Sequence, residues 1–196
     1  MTRSAIWTRR LAAMAVAMAV TSCGLARPTP ALRYWMLAPV ASPDPALDAP
    51  IRIAAVVVDQ AYASSRLAMR TSPVEVEYRV YDRWAAPPRM LLAAALRDLL
   101  EGRGSGPAIE VAAELRRFEG VAIDPLSVRA EIVLALRATR ADTLLLERTY
   151  AGQALAASNE APAVVAALSE ALGDIVGRFR NDLRGALATD AGRNVH

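Results

Sequence analysis

The most regular stretch of this chain is Val128-Arg-Ala-Glu-Ile-Val-Leu-Ala-Leu-Arg137. Its even-numbered residues are all apolar, and three of its five odd-numbered residues are charged. Successive side chains of a strand point to opposite faces of a sheet, so this period predicts a strand with one buried and one solvent-facing side. A sheet built from such strands needs a second layer over its apolar face.

Two neighbouring segments repeat this alternation. Residues 109–116 alternate between apolar and mainly polar positions, and a third, less regular strand is expected from about residue 143 to residue 154. The connections are short and carry the turn signals Asp124-Pro125 and Arg140-Ala-Asp142. Short links between half-exposed strands predict an antiparallel meander.

The first half of the chain predicts four further strands. Residues 33–38 form a short apolar candidate, and residues 51–58 are β-branched and nearly uninterrupted, as in a central strand buried on both faces. Residues 67–71 predict an edge strand. Residues 74–81 alternate cleanly, and Ser72-Pro73 between these two segments predicts a hairpin turn.

Two helices complete the pattern. Pro87-Pro88 can open the first helix, because the missing N–H of a proline would have had no partner in the first turn. The second helix has a long apolar stripe: Val164, Val165, Leu168, Leu172, Ile175, Val176, Phe179 and Leu183. With only two helices available, we expect an α+β fold, a single domain with a mainly antiparallel sheet and both helices packed on one face.

The start of the chain is typical of a secreted protein. A basic opening precedes residues 11–20, an uncharged apolar run too short to span a bilayer. Val20-Thr21-Ser22-Cys23 then resembles a bacterial lipobox, although leucine is usual at the position of Val20. Cys23 is the only cysteine, so it cannot form an internal disulfide. We therefore predict that Cys23 is acylated; the alternative is plain secretion with cleavage elsewhere and a free thiol.

This interpretation divides the chain into four segments. A lipoprotein signal peptide covers residues 1–22, a lipid-anchored tether covers residues 23–32, the folded α+β domain covers residues 33–185, and a frayed tail covers residues 186–196. The formal charge of +3 comes from three arginines in the signal segment, which leaves 20 basic and 20 acidic residues. The balanced charge of the mature part does not favour nucleic acid as a partner.

The residues do not favour an enzyme. The only histidine is His196, at the end of the chain, which excludes Ser-His and Cys-His catalysis and an ordinary zinc site. The glycines of residues 102–106 follow a helix and lack the lysine of a phosphate-binding loop. Two carboxylate pairs, Glu75 with Glu77 and Glu110 with Glu114, are interpreted as solvated strand faces. We therefore expect no catalytic residue, no metal and no cofactor.

One stretch stands out as a candidate partner interface. Tyr81, Asp82, Arg83 and Trp84 lie where a strand meets a helix, and tryptophan and arginine in such positions are favoured at protein interfaces. The alternative is that Trp84 packs under the helix and Arg83 pairs with a carboxylate.

Several motifs in order resemble the ABC-type transport auxiliary lipoprotein family, which includes the paraquat-inducible protein C-like lipoproteins. They are the lipobox with Cys23, Arg33-Tyr-Trp-Met-Leu37, the strand over residues 51–58, and the segment from Tyr78 to Met90. Arg117-Phe118-Glu119-Gly120 and Val165-Ala-Ala-Leu-Ser-Glu-Ala-Leu172 are also similar to the family.

The resemblance implies a role without catalysis. Such lipoproteins accompany ABC transporters whose substrate-binding component carries an MCE domain, in systems that move lipids between the inner and outer membranes. The resemblance implies a lipid anchor in the outer membrane, a domain facing the periplasm, and contact with the MCE component. Gly24 after the acylated cysteine is consistent with delivery to the outer membrane.

Two rival hypotheses remain at this point. One is a structural or envelope-assembly lipoprotein without a dedicated transporter. The other is a periplasmic module that carries lipid in its own cavity, which a large apolar pocket between sheet and helices would favour.

Overall fold

A computed structural model describes residues 29–40, 46–100 and 102–193. The predicted signal peptide and Cys23 lie outside the described residues. The described residues form, in chain order, β1 (Arg33–Trp35), β2 (Ile51–Val58), a short 3-10 helix (Gln60–Tyr62), β3 (Arg66–Ser72), β4 (Glu75–Trp84), α1 (Pro88–Leu99), β5 (Ile109–Ala122), β6 (Val128–Arg140), β7 (Thr143–Ala156) and α2 (Ala161–Arg193).

The last three strands form the antiparallel meander that their alternation predicts. Strand β5 pairs with β6 from Ile109 opposite Arg140 to Ala122 opposite Val128. Strand β6 in turn pairs with β7 along the whole of its length. The predicted hairpin is also present, because β3 and β4 pair in antiparallel fashion across the turn that follows Ser72.

Strand β3 lies inside the sheet, so its prediction as an edge strand is wrong. The order of the strands is β1-β4-β3-β5-β6-β7, and β3 is hydrogen-bonded to both β4 and β5. Its contact with β5 is a short parallel pairing at Gly120 and Val121. The sequence of such a short strand does not show whether it has one or two neighbouring strands, because this depends on pairing with distant parts of the chain.

Strand β2 is predicted to be a central strand buried on both faces, but it lies at the edge of the sheet. It pairs only with the first half of β5, in parallel, and its residues alternate between half-buried and exposed. Helix α1 contacts it, while Val57 remains 59% exposed. The β-branched composition of β2 therefore indicates that the segment forms a strand, but it does not indicate that both faces of the strand are buried.

Both helices cover the same face of the sheet, which confirms the α+β fold with a mainly antiparallel sheet. Helix α2 packs on β6 and β7 and also contacts α1. Gly152 of β7 permits a close approach, since a Cβ atom there would lie 2.7 Å from the Ala171 carbonyl oxygen. The largest fully buried side chains include Phe179, Leu96, Ile109, Ile132, Leu134 and Leu168.

Helix α2 has 33 residues and extends to Arg193. It therefore includes most of the stretch 186–196 that was expected to fray. Leu187 packs partly against the core, and Arg140 lies 3.6 Å from Asp190. None of the helices within the described ranges is both long enough and apolar enough to cross a membrane.

Candidate functional site

The predicted interface residues lie where β1 joins the edge of the sheet. Strand β1 runs parallel to β4, with Arg33 opposite Asp82, Tyr34 opposite Arg83, and Trp35 opposite Trp84. Side chains alternate along both strands, so the first and third of these pairs share one side of the sheet and the second pair lies on the other.

Asp82 is a buried anchor for β1. Its carboxylate is 3.0 Å from the Arg33 guanidinium and accepts a hydrogen bond of 3.0 Å from the Trp35 indole N–H. The Arg79 guanidinium also lies 3.7 Å from this carboxylate. A buried carboxylate needs such charged and polar partners to offset its lost hydration. Its oxygens are thereby engaged within the protein.

Trp84 is part of the core. It is 3% exposed, and its ring stacks on Phe118 with centroids 4.8 Å apart and an interplanar angle of 20°. Of the two interpretations of Trp84, the structure supports packing inside the protein. The backbone around it is also fixed, since the Trp84 N–H donates to Ser65 and the next N–H donates to Trp35.

The opposite side of the junction carries two arginines without counter-ions. Arg66 of β3 lies directly across from Arg83, and neither side chain forms an ion pair with a described carboxylate. The Nε of Arg83 is buried and has no hydrogen-bond partner. Tyr34, 62% exposed, is the other cross-strand neighbour of Arg83. We name Tyr34, Arg66 and Arg83 the arginine patch.

Like charges directly opposite each other on neighbouring strands are destabilising. The arginine patch therefore has a local electrostatic cost that an anionic group from outside would remove. Arg83 does not pair with a described carboxylate, contrary to the second interpretation of this residue. Tyr81 is half-buried.

A second ionic cluster escaped the sequence analysis. Glu119 is fully buried, and its carboxylate accepts hydrogen bonds from Arg70 Nε at 2.7 Å and from the Tyr62 hydroxyl at 2.8 Å. Burial, and then the bond to Glu119, raise the pKa of Tyr62 above its usual value. The sequence contained one signal for this cluster, a glutamate in the Phe118-Glu119-Gly120 motif shortly after the strand predicted at residues 109–116.

Glu131 lies directly across from Glu119 on β6. Arg117 bridges the two, at 2.9 Å from Glu131 and 3.5 Å from Glu119, and Arg129 lies 2.7 Å from Glu131. Burial acts to raise the pKa of Glu131, but hydrogen bonds from Arg129 and Arg117 outweigh it and hold the pKa below its usual range. The repulsion between the two carboxylates is thus offset by arginines.

The family-like motif in β5 has a structural explanation at each position. Phe118 stacks on Trp84, and Glu119 anchors the ionic cluster. A Cβ atom at Gly120 would lie 2.7 Å from the Met69 sulfur, so glycine allows β3 and β5 to pack closely there. The motif therefore ties β3, β4 and β5 together.

The two carboxylate pairs of the sequence do not form acid–base sites. Glu110 is ion-paired with Arg52, and Glu114 is paired with Arg116 at 2.8 Å. Glu75 accepts a hydrogen bond from Thr71. Within the described ranges, no group of three or more histidine, cysteine, aspartate or glutamate side chains could hold a metal ion.

An open groove of about 950 Å³ lies along α2. It lies beside the segment that follows β1, where the Ala38 N–H donates to Ser169 Oγ at 3.1 Å. Between the sheet and the helices the described side chains form a filled core. The rival hypothesis of lipid carried in a cavity between these layers gains no support from this arrangement.

Comparison with solved structures gives two close matches in fold. A crystal structure of protein XCC0632 from Xanthomonas campestris superposes with a TM-score of 0.67 at 21% identity, covering 82% of this chain and 99% of that one. A crystal structure of an uncharacterized protein superposes with a TM-score of 0.60 at 14% identity, covering 79% and 99%. At these identities the likeness shows the fold alone. No curated protein sequence matches the chain significantly.

The family comparison is more specific. A family model described as ABC-type transport auxiliary lipoprotein component matches residues 36–178, well over half of the chain. The matched range begins directly after β1 and includes the end of β4, the motif of β5 and the first 18 of the 33 residues of α2. This is a family of transport auxiliary components and not one of enzymes. The chain belongs to the ABC-type transport auxiliary lipoprotein family.

Proposed function

We propose that this lipoprotein is the auxiliary component of an MCE-type ABC system that moves lipids between the inner and outer membranes. It is anchored to the periplasmic side of the outer membrane through acyl chains on Cys23, and its domain docks with the MCE-domain component. The observation that carries the docking role is the arginine patch, in which Arg66 and Arg83 lie opposite each other on neighbouring strands and neither pairs with a described carboxylate.

Anchoring at Cys23 is supported by the lipobox and by the solitary cysteine. A single acyl chain binds a membrane only marginally, whereas several chains on one cysteine hold a protein firmly. Gly24 at the next position supports delivery to the outer membrane.

Docking through the arginine patch is supported by the charge distribution around it. Other surface arginines of the sheet are neutralised within the protein, as in the pairs Arg52 with Glu110 and Arg116 with Glu114. Arg66 and Arg83 are left for a partner, and arginine and tyrosine are enriched where binding energy concentrates. The partner surface is expected to present a carboxylate between the two guanidinium groups.

A pull-down with the purified MCE component tests the docking. We expect Arg83→Ala and Arg66→Ala each to weaken binding by about 30-fold, the equivalent of a 2 kcal/mol hot spot. Arg137→Ala is the matched control, because Arg137 also lies on the sheet, with 57% of its side chain exposed, but is 3.9 Å from Glu147. Equal affinity of all three variants and the wild type would contradict docking through this patch.

Fractionation tests the anchor. Cys23→Ser should move the protein out of the membrane fraction or leave it unprocessed, and it should abolish labelling with palmitate. Unchanged labelling and unchanged membrane association in this variant would overturn the proposed acylation. Separation of inner and outer membranes then shows which membrane holds the wild type.

A further inference from the structure

Four exposed apolar side chains lie in or beside two neighbouring turns: Val74 in the β3–β4 turn, Ile123 and Leu126 in the β5–β6 turn, and Leu155 near the end of β7. Val74 is 94% exposed, Leu126 79%, Leu155 72% and Ile123 51%. We name these four residues the loop-tip cluster. Single exposed apolar residues are common on protein surfaces, but a group of them on neighbouring turns marks an interaction site.

The pairing of the strands brings the four residues to one end of the sheet. Strand β3 is parallel to β5, with Arg70 opposite Val121, so the turn that holds Val74 lies beside the turn that holds Ile123 and Leu126. Leu155 pairs with Arg129, next to the same β5–β6 turn. The cluster thus spans neighbouring strands at a single end.

The β5–β6 turn holds its apolar side chains outward. The Asp124 carboxylate accepts backbone hydrogen bonds of 2.8 Å from both Leu126 and Ser127. The bond from Leu126, followed by those from Ser127, keeps the pKa of Asp124 below its usual value. The turn is therefore closed by its own polar groups, and its charge is engaged within the turn while Leu126 projects into solvent.

The chain approaches β1 from the direction of this end, although β1 pairs with the last three residues of β4, Asp82 to Trp84, at the other end. Strand β1 is parallel to β4, and β4 begins directly after the turn that holds Val74. The seven residue-to-residue steps from Glu75 to Asp82 extend about 23 Å. The ten peptide steps from Cys23 to Arg33 can reach at most about 33–36 Å. An acylated Cys23 can therefore reach the level of the loop tips.

We propose that the loop-tip cluster inserts into the interfacial region of the bilayer to which Cys23 is anchored. This inference rests on the proposed acylation of Cys23. Exposed apolar side chains beside polar ones are typical of surfaces that lie in a membrane interface. The arginines behind the tips, Arg70 and Arg129, are paired with Glu119 and Glu131, so the expected contact is apolar. In this orientation the arginine patch, at the far end of β4, faces away from the anchoring membrane and toward a partner.

The test uses the full acylated lipoprotein in vesicles of phosphatidylethanolamine and phosphatidylglycerol. Leu126→Cys provides a single free thiol for an environment-sensitive NBD label, because Cys23 is the only native cysteine. Ser105→Cys is the matched control: it is also exposed, in the link from α1 to β5, at the other end of the sheet. Quenching by a nitroxide attached to the lipid acyl chains reports contact with the membrane.

We expect several-fold stronger quenching and a blue-shifted emission for the label at position 126 than for the label at position 105. Equal and weak quenching at both positions in vesicle-bound protein would overturn the insertion while leaving the anchor intact. Failure of the protein to stay with the vesicles would instead overturn the anchor. A blue shift at position 126 that requires the MCE component and shows no lipid quenching would assign the cluster to that protein and overturn the membrane contact.

Discussion

The two sides of β4 near its end meet opposite environments, although their residues alternate along one short stretch. Asp82 and Trp84 are buried, with every major contact made inside the protein. Arg83, between them, has no described counter-ion and lies across from a second arginine. Residue type therefore did not distinguish core from interface here. The side of the sheet to which each residue points made the difference.

The same comparison extends along the sheet to β5. Phe118 lies on the covered side against Trp84, and Glu119 is on the opposite side with Arg83. Yet Glu119 is fully buried, because Tyr62 and Arg70 close over it. The side of the sheet away from the helices thus carries two groups of charged residues. The charges of the ionic cluster around Glu119 are paired, whereas the two arginines of the arginine patch have no described counter-ion.

The largest expected effect on stability is at Trp84, on the side of the sheet that the helices cover. Trp84→Ala removes the ring that stacks on Phe118, and it should lower the free energy of unfolding by about 3–5 kcal/mol, as is usual for truncation of a buried aromatic residue. Denaturant unfolding followed by circular dichroism measures this. Trp84→Phe is the control and should retain most of the stability. A loss below 1 kcal/mol for the alanine variant would show that Trp84 does not support the core.

The second largest effect is expected at the ionic cluster around Glu119, on the side of the sheet away from the helices. Glu119→Gln leaves Arg70 without its buried counter-charge, and the free energy of unfolding should fall by about 3 kcal/mol. Tyr62→Phe removes only one hydrogen bond to the same carboxylate and should cost about 1 kcal/mol. If both variants unfold at the wild-type denaturant concentration, the cluster contributes nothing to stability.

A smaller effect should appear as a pH dependence of stability. The folded pKa of Glu131 lies below its usual value because hydrogen bonds from Arg129 and Arg117 outweigh its burial. Its contribution is therefore fully present above the unfolded pKa, about 4.3, and is lost as pH falls through the folded pKa. Melting temperatures of wild type and Glu131→Gln should converge between pH 6 and about pH 3. If the two melting temperatures stay equally far apart over this pH range, the titration of Glu131 does not contribute to stability.

The smallest expected effect on stability is at the arginine patch. Arg83→Ala removes a cation that faces another cation, so the free energy of unfolding should change by less than about 0.5 kcal/mol. Affinity for the MCE component should nevertheless fall. A loss of several kcal/mol of stability would make Arg83 a structural residue, and the contrast between the two sides of β4 would then disappear.

Much of the architecture follows from local patterns. The alternation in β5 and β6, the hairpin after Ser72 and the apolar stripe of α2 were all predicted, because each depends on residues close together in the chain. The family could also be predicted, from motifs in order along the sequence. The acylation of Cys23 and the domain boundaries stay predictions.

Other features depend on contacts between distant residues. The sequence by itself determined the strands, the helices and the balance of charge in the mature part. Only the tertiary structure decided that β3 lies inside the sheet, that β2 lies at its edge, and that Arg66 lies opposite Arg83. The partners of Glu119 are 49 and 57 residues away along the chain. Local periodicity indicates which face of the sheet a side chain lies on. Which strand pairs with which depends on the packing of the whole sheet.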